Sequence, residues 1–206
     1  MNKKFLTLSS TAIAAAIALA GCANGGGSTS GTSPSPMQTS AAATTPAAAD
    51  HNAADTTFAQ MMIPHHAQAV EMSDMVLKKQ DIPAEVTALA TQIKAAQAPE
   101  IEQMTGWLKS WNESATASAG AHSGHGTGGM SGMMSADDMK KLDAAQGTEA
   151  AKLFLTQMIA HHEGAVMMAK TEESSGQNAE AIALSKTIIT TQEKEIQEMK
   201  ALLAKL

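Results

Sequence analysis

The sequence predicts an all-α protein, a four-helix bundle built from two copies of one helical hairpin. Three observations carry that expectation. Apolar side chains recur at three- and four-residue steps over long stretches, the second half of the chain repeats the first, and no stretch carries a credible strand pattern. One hairpin alone exposes its apolar stripes to water, whereas two hairpins docked together bury them.

Residues 1–21 read as a signal peptide: a start containing Lys3 and Lys4, an apolar stretch from Phe5 to Ala20, and small residues before Cys22. The apolar run is short for a stable membrane span. Cys22 stands where bacterial lipoproteins are acylated, and the alternative is an ordinary signal followed by a chance cysteine. The expectation is an exported protein, lipid-anchored at the extracytoplasmic face of a membrane or in a periplasm. Cys22 is the single cysteine of the chain, which excludes a disulfide framework and any thiolate metal site in the folded part. The formal charge is −6, there is no Arg and no Tyr, and removing the signal makes the chain more acidic still. Nucleic acid is therefore excluded as a partner class.

Residues 22–54 are Gly, Ser, Thr, Pro and Ala with almost no large apolar side chain, a composition that reads as a disordered tether leading from Cys22. The helical domain is expected over residues 55–206. Its first hairpin, 55–113, opens on a helix whose Phe58, Met62, His65, Ala69, Met72 and Val76 share one stripe, with Asp55, Thr56 and Thr57 as capping residues. A turn near Gln80–Pro83 leads to a second helix, from about Ala84 to Trp111. Residues 114–135 form a Gly-rich linker containing His122, His125, Met130, Met133 and Met134. The second hairpin, 136–206, is expected as one helix from Ala136 to about Glu173 and another from Asn178 onward.

Aligned against itself, the chain sets Phe58 on Phe154, Met62 on Met158, His65-His66 on His161-His162 and Met72 on Met168. The second helices set Gln97 on Gln192, Glu100-Ile101 on Glu195-Ile196 and Met104 on Met199. The copies differ where Pro64 and Pro99 interrupt helices of the first hairpin, facing Ala160 and Lys194 in the second. Proline removes a backbone hydrogen bond, so the first hairpin is expected to bend and the two copies to offer related but unequal sites.

Imidazole and thioether are soft-to-borderline ligands that suit copper, the thioether favouring Cu(I). Candidate ligands are Met62, His65, His66 and Met72, with Met158, His161, His162 and Met168 in the second copy. The competing reading of the methionines is core packing, where Met is a common filler. The adjacent histidines fit that reading less well, because a buried imidazole needs partners. Glu100 and Glu195 would hydrogen-bond a histidine and fix its tautomer, or else stand solvated on the surface. His122, His125, Met130, Met133 and Met134 form a looser accessory site or an inert linker.

The segments MMIPHHAQAVEMS and QMIAHHEGAVMMA, each followed by a Q-x-x-E-I-x-x-M helix, resemble the bacterial family known as domain of unknown function 305, over roughly residues 55–206. That resemblance implies a ferritin-like four-helix bundle, secretion, and kinship with periplasmic copper-binding proteins implicated in metal resistance. It places the metal on the same eight Met and His residues. Three functions are in view. The leading one is a non-enzymatic lipoprotein that sequesters or passes on Cu(I), with Ag(I) as a related cargo, to or from a metal donor or acceptor protein. The second is a metal-free structural or interaction module. The third, a ferritin-like di-iron oxidase, fares poorly because no Glu-x-x-His occurs.

Overall fold

A computed structural model describes residues 50–116 and 131–206, and Cys22, His122, His125 and Met130 lie outside them. The described residues form five helices and no strand: α1 (Ala53–Leu77), α2 (Ala84–Ser110), α3 (Ala136–Ala144), α4 (Gly147–Ser175) and α5 (Ala179–Leu203). The long helices α1, α2, α4 and α5 make the expected bundle. α1 pairs chiefly with α2 and α4 with α5; α1 against α4 is the main junction between hairpins, while α2 and α5 scarcely touch.

Two local expectations are corrected. The cap of α1 is Asn52, whose side chain accepts from the Ala54 and Asp55 N–H groups while Asp55 accepts from the Asn52 N–H at 2.6 Å, a reciprocal capping box. Thr56 and Thr57 instead turn their hydroxyls back onto the carbonyls of Asn52 and Ala53. The single helix expected from Ala136 is two, because Ala145 and Gln146 are extended and Gly147 has φ +53°. A positive φ is cheap only for glycine, so this break lies in backbone geometry that apolar spacing does not encode. Pro64 and Pro99 end neither helix. Both sit on exposed faces, where the carbonyls left without a partner can turn to water.

The core is divided in two along the bundle. One apolar cluster joins Met72 and Val76 of α1, Leu89 and Ile93 of α2, Leu142 of α3, Phe154 and Met158 of α4, and Met199 of α5. The other joins Phe58, Met62, Met104, Trp107, Leu108, Ala165, Leu184 and Ile188. Each large side chain buried this way contributes about 1.5–3 kcal/mol. Between the clusters every long helix supplies buried polar residues: His65 and His66, Gln97, His161 and His162, and Gln192 with Glu195.

At one end the hairpins are joined through a buried carboxyl pair. Asp55, fully buried, accepts from the Gln177 and Asn178 N–H groups as well as that of Asn52. Glu172, 1 % exposed, lies beside it, and two acceptors side by side require a shared proton. Burial, reinforced by Asp55, raises Glu172 to about 8. Burial works against the Asp55 charge too, but the hydrogen bond from Glu172 and the backbone N–H groups outweigh it and hold that carboxyl below its usual range. Gly176 makes the arrangement possible, since a Cβ there would run into the Glu172 carboxyl.

A raised carboxyl binds its proton more tightly in the folded state, so Glu172 withdraws stability as pH rises from its ordinary 4.5 through about 8, with no further loss beyond. Urea unfolding at pH 7 and pH 8.5 should show a lower midpoint at the higher pH, and Glu172→Gln should remove most of that difference.

Candidate metal centre

The four histidines reach one place because the hairpins dock antiparallel with their His-His pairs level. All four are fully buried. The His65 and His161 rings touch, one from each hairpin, with centroids 3.8 Å apart, and His162 lies beside His161 at 6.3 Å. The two related sites expected from the duplication are thus brought into a single layer.

Each outer ring nitrogen that has a partner faces an acceptor. His66 Nε2 lies 2.7 Å from Glu100 Oε2, and His162 Nε2 lies 2.9 Å from Glu195 Oε2, the same contact in each hairpin. His65 Nε2 lies 3.2 Å from the Ser131 carbonyl. A carbonyl or carboxylate oxygen accepts, so these three nitrogens donate, which assigns the lone pair to Nδ1 whenever the ring is neutral. Those three Nδ1 atoms, together with both nitrogens of His161, are buried without a hydrogen-bond partner. The Gln97 amide shares that condition. An unpaired buried polar atom costs roughly 1–3 kcal/mol, so five ring nitrogens represent a cost of the same order as the net stability of a domain. Burial, with His66 adding to it, lowers His65 to about 4; burial and then the His65 ring against it lower His161 to about 2. Both are neutral, with lone pairs available, at neutral pH.

The thioethers lie on both sides of this layer. Met62, Met72 and Met158 are fully buried, Met72 and Met158 in one apolar cluster and Met62 in the other. Met168 is half-buried and packs against the Met62 cluster. Among the described residues no three His, Cys, Asp or Glu side chains converge on a common point. The imidazoles and carboxylates therefore do not form a closed shell of nitrogen and oxygen ligands.

Residues 131–134 form a strap across the outer side of the layer. The Gln68 side chain clasps the Met134 backbone from both directions, donating to its carbonyl at 2.9 Å and accepting from its N–H at 2.7 Å. Gly132, at φ +83°, leaves no room for a side chain, because a Cβ would meet the Ala160 and His161 carbonyls at 2.7 and 2.9 Å. A Cβ on Gly164 would run into the Ser131 carbonyl. Gln68 and Gly164 are the same position of the duplicated motif, one holding the strap and the other making space for it. Met133 and Met134 are half-buried in the strap. Sequence reasoning missed Gln68, Ser131, Gly132 and Gly164, and the available signal was the disagreement between copies at the Gln68/Gly164 position.

Fold and site together define a helical bundle with a buried, paired-histidine layer flanked by methionines. The chain belongs to the family described as domain of unknown function (DUF305), whose model matches residues 55–203. Among solved structures it is similar to a putative secreted DUF305 protein from Streptomyces coelicolor, at 38% identity over 74% of this chain and 93% of that one, with a TM-score of 0.68. A DUF305 fragment from Deinococcus radiodurans is 28% identical over 75% of this chain and 98% of that one, with a TM-score of 0.65. CopM in its Cu(I)-bound form is 32% identical over 73% of this chain and 96% of that one, with a TM-score of 0.60, and CopM is also known in Cu(II)- and Ag-bound forms. A comparison with the curated proteins found no match.

Two outcomes follow from this geometry. Gly164→Ala should displace the strap and lower stability by about 1–3 kcal/mol, and Gln68→Ala, which removes two hydrogen bonds, should do so by a similar amount. Both would be read from urea unfolding, with faster amide exchange at Met134 marking the strap as the part released. For the histidines, a depressed pKa means the unfolded chain takes up protons first, so these rings withdraw stability as pH falls from about 6.5 toward 4 and below. Ring-proton NMR should find His65 and His161 still neutral at pH 5.5.

Proposed function

We propose that this protein is a non-enzymatic copper carrier of the cell envelope, exported and lipid-anchored through Cys22, that holds Cu(I) or Ag(I) as cargo at the histidine layer. The observation that carries the reading is the set of buried ring nitrogens without hydrogen-bond partners, with the rings of one pair, His65 and His161, in contact across the hairpin junction. A soft cation satisfies such atoms where packing cannot. His65, His66, His161 and His162 would supply the nitrogens, and Met62, Met72 and Met158, buried in the two adjoining clusters, the thioethers. Glu100 and Glu195 would hold His66 and His162 with Nδ1 available, which raises ligand basicity without spending a ligand position.

The choice of cation follows from the donor set. Imidazole and thioether without thiolate or converging carboxylates favour Cu(I) over hard divalent ions. The same donors fit an oxidising compartment, where free thiols are lost to disulfides. The family relationship supports the reading, since CopM is similar in fold and sequence and is described in Cu(I)-, Cu(II)- and Ag-bound forms. Among the described residues no helix is long and apolar enough to cross a membrane, so attachment would rest on the amino-terminal lipid. Delivery to, or receipt from, a partner protein is part of the proposal.

Competition with a Cu(I) chelator under anaerobic conditions tests it. Changing all four layer histidines to Ala should weaken affinity by more than about 100-fold, and Glu100→Gln with Glu195→Gln by about 10–100-fold. Undiminished affinity in a quadruple variant that retains its helical circular dichroism would overturn the assignment.

A further inference from the structure

The groove between α1 and α4 has two ends related by the internal duplication, and they are finished differently. At one end α3 lies in the groove: Leu142 is buried in the same cluster as Phe154, and Gln157 donates to the Asp138 carbonyl at 3.1 Å. The strap closes the middle over His65. At the other end Phe58 takes the place of Phe154 and Met61 the place of Gln157. There the described residues leave a groove of about 510 Å³, lined by Phe58, Met61, Met168 and Glu172 with Ala54 and Thr57. Nothing among the described residues fills it as α3 fills its counterpart.

We propose that Met61 and Met168 form a thioether site at this open end, which takes up a soft monovalent cation from solution and passes it inward to the histidine layer. The inference rests on the carrier reading above and adds a second site to it. Met61 lies one helical turn before His65 on α1, and Met168 two turns after His161 on α4, so the groove they line begins within one to two turns of the layer. Both methionines are half-buried, whereas Met62, Met72 and Met158 are sealed in the core. Thioether sulfurs are neutral and soft, and they bind Cu(I) or Ag(I) without supplying the carboxylates that hard divalent ions require. No lysine lines the groove to repel a cation. The opposite approach is obstructed by the Ser131 carbonyl on His65 and by the close fit of Gly132 against Gly164.

The site is tested with Ag(I), which undergoes no redox change in water, added in substoichiometric amounts to the full chain carrying ¹³C-labelled methionine methyls. Met61 and Met168 should shift at the first additions in the variant with all four layer histidines changed to Ala, where no deeper site draws the cation from the groove. Met61 and Met168 unmoved in that variant would overturn the proposal. If the histidine variant keeps full affinity, the carrier reading fails and these methyl shifts still decide the groove site. For passage, the variant Met61→Leu conserves volume and should cost less than about 1.5 kcal/mol of stability. It should load Cu(I) from a bicinchoninate complex about tenfold more slowly or worse, with final affinity unchanged within about twofold. An unchanged rate, or an affinity that falls as far as the rate, would show that the pair is no entry site.

Discussion

The structure is organised around the need to keep four imidazoles dry in the middle of a bundle. Apolar contacts alone do not achieve this, because a ring nitrogen taken out of water loses its hydrogen bond wherever it goes. The bundle answers for three rings on one side only. Glu100, Glu195 and the Ser131 carbonyl each accept a hydrogen bond from an Nε2–H, which fixes the orientation of a ring and leaves its other nitrogen facing the interior. Division of the apolar core into two clusters follows from that central layer, as does the placing of methionines immediately above and below it.

Much of this is legible in the sequence. The four long helices and the equivalence of the hairpins follow from period and repetition, since a three- and four-residue apolar recurrence has only one regular geometry. The position of the paired histidines within that pattern also indicates that they are buried. The contact between His65 and His161 is not readable in this way, because the duplication gives the register within each hairpin and says nothing of how the hairpins dock. The break before α4 escapes for a related reason: the apolar spacing runs on through Leu142, and the interruption lies in the extended backbone of Ala145 and Gln146 and the positive φ of Gly147.

The strap shows how duplicated sequence acquires asymmetry. Gln68 and Gly164 descend from one position of the motif, yet one supplies two hydrogen bonds and the other supplies the space left by a missing side chain. The same holds where Met61 stands against Gln157 and Val76 against Glu172. Such disagreements between copies coincide with the features that distinguish the two ends of the bundle, whereas the agreements describe the shared scaffold.

The pairing of His65 with His161 across the hairpin junction also bears on how this protein could be divided. Each hairpin carries its own imidazole pair and its own orienting glutamate, but the ring-to-ring contact belongs to neither fragment. Expressed separately, the halves would be two amphipathic hairpins with the donors on the wet side of an unmade interface. Mixed together, they would recover the layer only as fast as they found each other. Assembly of the centre is therefore a second-order event hidden inside a single chain, and the linker sets the concentration at which the halves meet.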